Sequence, residues 1–289
     1  MTIAALVSTL AALAGLTFVV TSMLATGLSL TVAQIIEPLR NVRLVTLALL
    51  ANFVLVPLLA FAISRVLPLD PSLQVGLLVL ATTAGAPFLL KEVTAAKADV
   101  SLAVGLMFLL MVVTIVYVPI VLPLLVQGVE VNGWDIAKSL IVTMLIPIVL
   151  GLLYRAHSPE GAATSAALLN KVSGVSLVLM LVTGLGLNLS NIIDLIGSWG
   201  FLALILFVCG SLLIGMLLGG RNPSARAVLG LGTAQRNVAA AILVATLNFA
   251  DTPTLSFVLV ASMVMPLILI PTARRLGGRS AAPDAPAQP

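Results

Sequence analysis

Long uncharged apolar runs alternate with short polar connections along this chain. A helix needs about 20 mostly apolar residues to cross the hydrocarbon core of a bilayer. The runs predict about nine such helices. The first lies within 3–31, and a connection with Glu37, Pro38, Arg40 and Arg43 follows it. The second covers 44–64 and ends at the turn Pro68-Leu69-Asp70-Pro71. The third runs from Ser72 to Leu90, the fourth over 100–126, the fifth over 136–154, the sixth over 172–190 and the seventh over 199–219. The eighth starts after Pro223 and reaches Phe249, and the ninth covers 254–273. The Pro/Ala-rich tail, 277–289, is expected to be disordered. No segments of about 10 residues alternate apolar with polar, so a spanning barrel is not expected. The first charged side chain is Glu37, so the start has no basic region of a secretory signal and reads as a retained first span.

Composition agrees with this pattern. The chain is 61% hydrophobic and 8% charged, with mean hydropathy +1.23. A soluble domain carries about 25% charge, so lipid must be the solvent over most of this chain. The net charge of +4 then reads as basic cytoplasmic loops rather than a nucleic-acid surface. Connections after odd-numbered spans, with the tail, hold Arg40, Arg43, Lys97, Arg155, Lys171, Arg221, Arg226, Arg274, Arg275 and Arg279. The other side holds Arg65 and Lys138, and also Trp134 and Trp199. That asymmetry predicts an outside N-terminus and a cytoplasmic C-terminus. The lipid bilayer is the expected surrounding, with no obligate protein partner inferred. Cys209 and His157 stand alone, which excludes an intrachain disulfide and predicts no metal site of that kind. There is no Ser/His/Asp set, no carboxylate pair in a span and no phosphate loop, so no enzyme and no cofactor are expected.

Two spans repeat one another. At an offset of 152, Pro71, Ser72, Leu77, Thr94, Ala98 and Asp99 meet Pro223, Ser224, Leu229, Thr246, Ala250 and Asp251. The third and eighth spans are five apart and so cross in opposite senses, which predicts inverted repeats of four and five helices. The same spans carry unusual polarity. The eighth is interrupted by Thr233-Ala234-Gln235-Arg236-Asn237, and the aligned third reads Ala81-Thr82-Thr83-Ala84-Gly85-Ala86-Pro87. An arginine near the bilayer centre costs roughly 2.5–3.5 kcal/mol on insertion scales, so Arg236 must face protein or water. Broken helices at matched positions point to a binding site near the midplane. Arg236, Asn237, Thr82, Thr83 and Lys91 are the candidate substrate residues, and Gln235, Asn52 and Glu92 the candidate coupling residues. Gln235-Arg236-Asn237 reads either as a lining for an organic anion or as a polar cluster joining helices. Lys91 either snorkels to the surface or points into the core. Asn52 reads either as a ligand or as a hydrogen bond between helices. Thr114 and Tyr117 read as packing residues.

The chain resembles the bile acid:sodium symporter family through MLATGLSLT, ANFVLVP, KADVSLAV, LIPIVLGLL and GTAQRN, in that order and spacing. The resemblance implies a bacterial inner (cell) membrane protein lacking the family's first helix. It implies a panel domain (about 3–66 and 135–190), a core domain (about 71–126 and 195–276) with two crossing broken helices, and transport of bile-acid-like or other organic anions by alternating access. The family couples to sodium, and its ligands carry over in part. Gln235 matches one glutamine and Asn52 stands for another. Leu231 replaces a glutamate, Leu89-Leu90 a Ser-Asn pair, and Ala103 and Met107 two hydroxyls. Any sodium site is therefore a weakened one at Asn52 and Gln235. Lys91 or Arg236 would supply fixed positive charge, and transport would be proton-coupled or uncoupled. The competing readings are a membrane sensor or binding protein on the same fold, and a carrier of an auxin-efflux-like or cation/proton type.

Overall fold

A computed structural model describes residues 3–126, 132–187, 189–196, 198–249 and 252–280, and every described element is helical. In order these are α1 (Ile3–Ser29), α2 (Val32–Ile36), a 3₁₀ turn (Glu37–Arg40), α3 (Val42–Leu50) and α4 (Val56–Val66). Then come α5 (Pro71–Thr82), α6 (Leu89–Ala95), α7 (Val100–Leu125), α8 (Gly133–Leu140) and α9 (Ile146–His157). The series ends with α10 (Pro159–Leu187), α11 (Leu189–Ile196), α12 (Trp199–Leu218), α13 (Pro223–Ala234), α14 (Val238–Asn248) and α15 (Thr254–Ser280). Eight stretches are long and apolar enough to span a membrane, one of them, Pro223–Asn248, taken across the break between α13 and α14. The third predicted span is not among them, because its break at 83–88 leaves α5 with only 12 residues.

Two spans carry a wide turn just before a proline. Ala51–Leu55 joins α3 to α4, and Ile141–Leu145 joins α8 to α9; both are π-helical. Pro57 and Pro147 follow them. Proline lacks the N–H that would bond four residues back, and its ring crowds that carbonyl. Widening the turn relieves the clash and frees the carbonyl. In the second span the freed group is the Phe53 carbonyl, which accepts from the Tyr117 hydroxyl of α7 at 2.6 Å.

The connections gather at two clefts. Glu37, Arg40, Asp99, Asn222 and Ser224 line one, where the Asp99 N–H donates to Ser224 Oγ at 2.7 Å. Arg65, Pro71, Val126, Phe249 and Thr254 line the other, where Thr254 Oγ1 donates to the Ser72 carbonyl at 2.9 Å. Connections after the first, third and seventh spans thus meet in one place and those after the second, fourth and eighth in another.

Lipid offers little hydrophobic drive for helices to associate, so close backbone contact must hold them together. α1 packs along α10 and α9. Gly27 of α1 and Gly151 of α9 face each other so closely that a Cβ on either would overlap the other helix's backbone. α12 lies along α13, and α15 along α5, α6 and α14.

Three expectations change. The second span, expected in the panel with the first, fifth and sixth, packs chiefly against α12 and α5. Its buried Asn52 and freed Phe53 carbonyl find their partners in Arg236 and in Tyr117 of α7, outside the first, fifth and sixth spans. The sixth span begins at Pro159, earlier than the hydropathy suggests. The Ala-rich stretch after Pro159 favours helix although Glu160 and Lys171 keep it polar. Helix α15 runs past Gly277 to Ser280, and Gly277 packs on the Ala96 backbone. Residues 281–289 lie outside the described residues, as do Ala250 and Asp251 at the far end of the repeat.

Candidate functional site

The two interrupted spans supply the site. Their first halves, α5 and α13, are each 12 residues long, start at proline and coincide at the offset of 152. Gly85 and Pro87 break the first. Gly85 has φ +80°, a conformation that strongly favours glycine, and a Cβ there would strike the Met111 backbone N. Pro87 has no N–H to continue a ladder. In the eighth span the break is held by Asn237, whose side chain accepts from the Ala240 N–H and caps α14.

The breaks are clasped together. The Asn237 N–H donates to the Thr83 carbonyl at 3.0 Å, and Asn237 Nδ2 donates to the Gly85 carbonyl at 3.0 Å. Thr114 of α7 serves the unwound Ala84 twice: its Oγ1 accepts from the Ala84 N–H at 2.9 Å and donates to the Ala84 carbonyl at 3.0 Å. Buried backbone without such partners would be costly in a membrane.

Arg236 is 0% exposed. Its Nε donates to the Leu80 carbonyl at 3.0 Å and its Nη2 to the Ala81 carbonyl at 2.9 Å. Its Nη1 donates to Asn52 Oδ1 at 2.7 Å and to the Thr233 carbonyl at 3.0 Å. Leu80 and Ala81 end α5, and Thr233 is in the last turn of α13. Each helix C-terminus carries about half a negative charge, so two of them meet one guanidinium. Asn52 orients through Nδ2, which donates to the Ala48 carbonyl at 3.0 Å. Thr82 and Thr83 hydroxyls bond within their own helix, to carbonyls between Leu78 and Leu80.

A cavity of about 300 Å³ opens beside this crossing. Phe18 and Ser22 of α1, with Asn170, Ser173 and Leu177 of α10, form one wall. Phe88, Lys91 and the segment Gln235 to Ala239 form the other. Lys91 is exposed in this cavity and its Nζ lies 5.4 Å from the Phe88 ring centre. Gln235 is 3% exposed; its Nε2 donates weakly to the Arg236 carbonyl at 3.3 Å, and its Oε1 is buried with no partner. A buried amide oxygen left open at a cavity wall is a ready contact for a ligand. Both carboxyl oxygens of Glu92, on the next residue after Lys91, are also buried without a partner.

The structure therefore sorts the predicted residues. Arg236 and Asn237 border the cavity, yet their side chains bond to the protein's own backbone and to Asn52. Lys91 and Gln235 face the cavity. Thr82, Thr83 and Asn52 do not line it. Leu231, Leu89, Ala103 and Met107 are all buried, with Leu89 against Gly232. Thr114 and Tyr117, read as packing residues, are instead hydrogen-bonding supports of the crossing and of the wide turn. Their signal was two hydroxyls three residues apart on one face of an otherwise apolar helix. The α10 wall, with Asn170 and Ser173, had no motif to announce it.

Comparison with known proteins adds the following. A family model described as the Sodium Bile acid symporter family matches residues 15–199. A rice (Oryza sativa subsp. japonica) protein named "Probable sodium/metabolite cotransporter BASS3, chloroplastic" is 24% identical over 184 residues, 63% of this chain and 43% of that protein. The rice "Probable sodium/metabolite cotransporter BASS2, chloroplastic" is 30% identical over 139 residues, 48% of this chain and 33% of its own length. The Arabidopsis thaliana BASS3 counterpart is 23% identical over 173 residues, 60% of this chain and 40% of its own. The chain thus spans less than half the length of these curated relatives. The family match ends before α13, so the segment that carries Arg236 lies outside it.

Proposed function

Because the chain belongs to the sodium bile acid symporter family, we propose that it is a secondary transporter that carries a small organic anion across the cell membrane by alternating access. The observation that supports this most is the cavity between α1 and α10 on one side and the matched broken spans on the other. A site at the boundary between two packed units opens alternately to the two sides if one unit rocks on the other. Volume and lining narrow the substrate. About 300 Å³ lies at the small end of ligand sites and suits a compact carboxylate. Phe18, Phe88 and Leu177 would hold its apolar part. Lys91 would meet its charge, and Gln235 would bond it through the open amide. The relatives are named as cotransporters of sodium and metabolites, which agrees with a metabolite-sized anion.

The test is uptake of radiolabelled small carboxylates into proteoliposomes. Lys91→Ala is expected to lower uptake about tenfold or more, the worth of one charge-assisted hydrogen bond. Unchanged uptake by that variant would remove Lys91 from the site, and binding without any counterflow would favour a sensor. Glu92 is the proposed proton carrier, as a carboxyl group buried without a partner on the residue after the cavity-lining Lys91. Glu92→Gln is expected to keep substrate exchange while losing uptake driven by a pH gradient. A variant that responds to the gradient as the parent does would leave transport uncoupled from this residue.

A further inference from the structure

We infer that Arg236 is a built-in counter-cation, occupying the cage of oxygens in which a sodium ion would otherwise sit, so that this protein neither needs nor binds sodium there. In transporters of this construction, carbonyls at unwound and C-terminal helix ends coordinate the coupling cation. Here four neutral oxygens converge: the carbonyls of Leu80, Ala81 and Thr233, and Oδ1 of Asn52. They come from three separate spans and all lie within 3.0 Å of a guanidinium nitrogen.

Such a set has the chemistry of a hard-cation site, because sodium also takes uncharged oxygens and needs no carboxylate. It differs in its occupant. The guanidinium fills the space and supplies the unit charge, so a sodium ion fits neither by volume nor by charge. The chain's other changes agree. Leu231 and Leu89 are buried apolar side chains at the crossing, and neither offers an oxygen.

A tethered cation differs from a free one in two ways. It cannot leave, so the clasp between α5 and α13 does not depend on ion concentration. It also carries no gradient energy, so driving force must come from elsewhere or be absent. This inference does not depend on transport, because ion binding can be read on purified protein.

The experiment is thermal stability of the purified full chain in sodium against potassium at equal ionic strength, using wild type and Arg236→Ala. A ligand that binds only the native state raises apparent stability in proportion to its occupancy. Wild type is expected to show the same midpoint in both salts. Arg236→Ala is expected to be less stable in potassium and to recover progressively with added sodium, because the emptied cage then accepts the ion. A sodium-dependent rise in the wild type would overturn the inference. So would an Arg236→Ala protein that elutes as a monodisperse species and responds equally to both salts. Should Arg236→Ala aggregate in both salts, Arg236→Gln, which keeps an amide donor for one carbonyl, takes its place, and no sodium preference from it would count the same way.

Discussion

Replacing Arg236 by alanine is expected to cost about 3–5 kcal/mol of stability, because several buried acceptors lose their donor together. Three carbonyls and the Asn52 amide oxygen lose a donor at once. Each unmet buried group costs about 1–3 kcal/mol, and the total is less than the sum because Leu80's carbonyl keeps a weak bond from Thr83. The two helix C-termini would also face each other without a positive charge. The measurement is unfolding of the purified variant in potassium by heat or denaturant. Arg236→Lys should lose less, since an ammonium keeps the charge and some donors but not the planar fork. A loss below about 1 kcal/mol for the alanine variant would mean that the cage closes by itself.

The second large effect belongs to Gly85. Gly85→Ala is expected to cost roughly 2–5 kcal/mol by combining two penalties. An L-residue in the left-handed region costs about 1–2 kcal/mol, and overpacking adds about 1–3 kcal/mol. The added Cβ would overlap the Met111 N and approach the Met107 carbonyl at 2.7 Å, and both are helix backbone that cannot swing aside. Relief requires α7 to move away. That movement would also pull on Thr114, which holds Ala84 from the same helix. Uptake should fall even in protein that remains folded, because the Gly85 carbonyl is an anchor of Asn237. Stability and uptake matching the parent would show that the unwound segment tolerates another path.

Much of this was legible in the chain. Charge-free runs placed the spans, and the offset of 152 located both breaks, since α5 and α13 begin and end in register. Gly85, Pro87 and Asn237 marked where helix must stop. The cost of an arginine in lipid forced Arg236 inward. Other features were not legible because their causes are non-local. Whether Arg236 faces a ligand or backbone depends on which carbonyls end nearby, and α5 lies about 150 residues away in sequence. The packing of the second span depends on Asn52 and the Phe53 carbonyl meeting Arg236 and Tyr117. Hydropathy sees only apolar content there. The α10 wall is built from common Ser, Asn and Gly residues that acquire meaning only when α1 lies opposite.

The order of the chain bears on how it is made. Asn52, Leu80, Ala81 and Thr233 all precede Arg236 in sequence. When the ribosome delivers this arginine to the membrane, each oxygen that will receive it has already been synthesised. The eighth span, almost wholly enclosed by protein, can therefore pass from the insertion machinery into a half-built receptacle instead of dwelling in lipid. Biogenesis and the finished clasp draw on one arrangement: the charge arrives last, and its seat is ready.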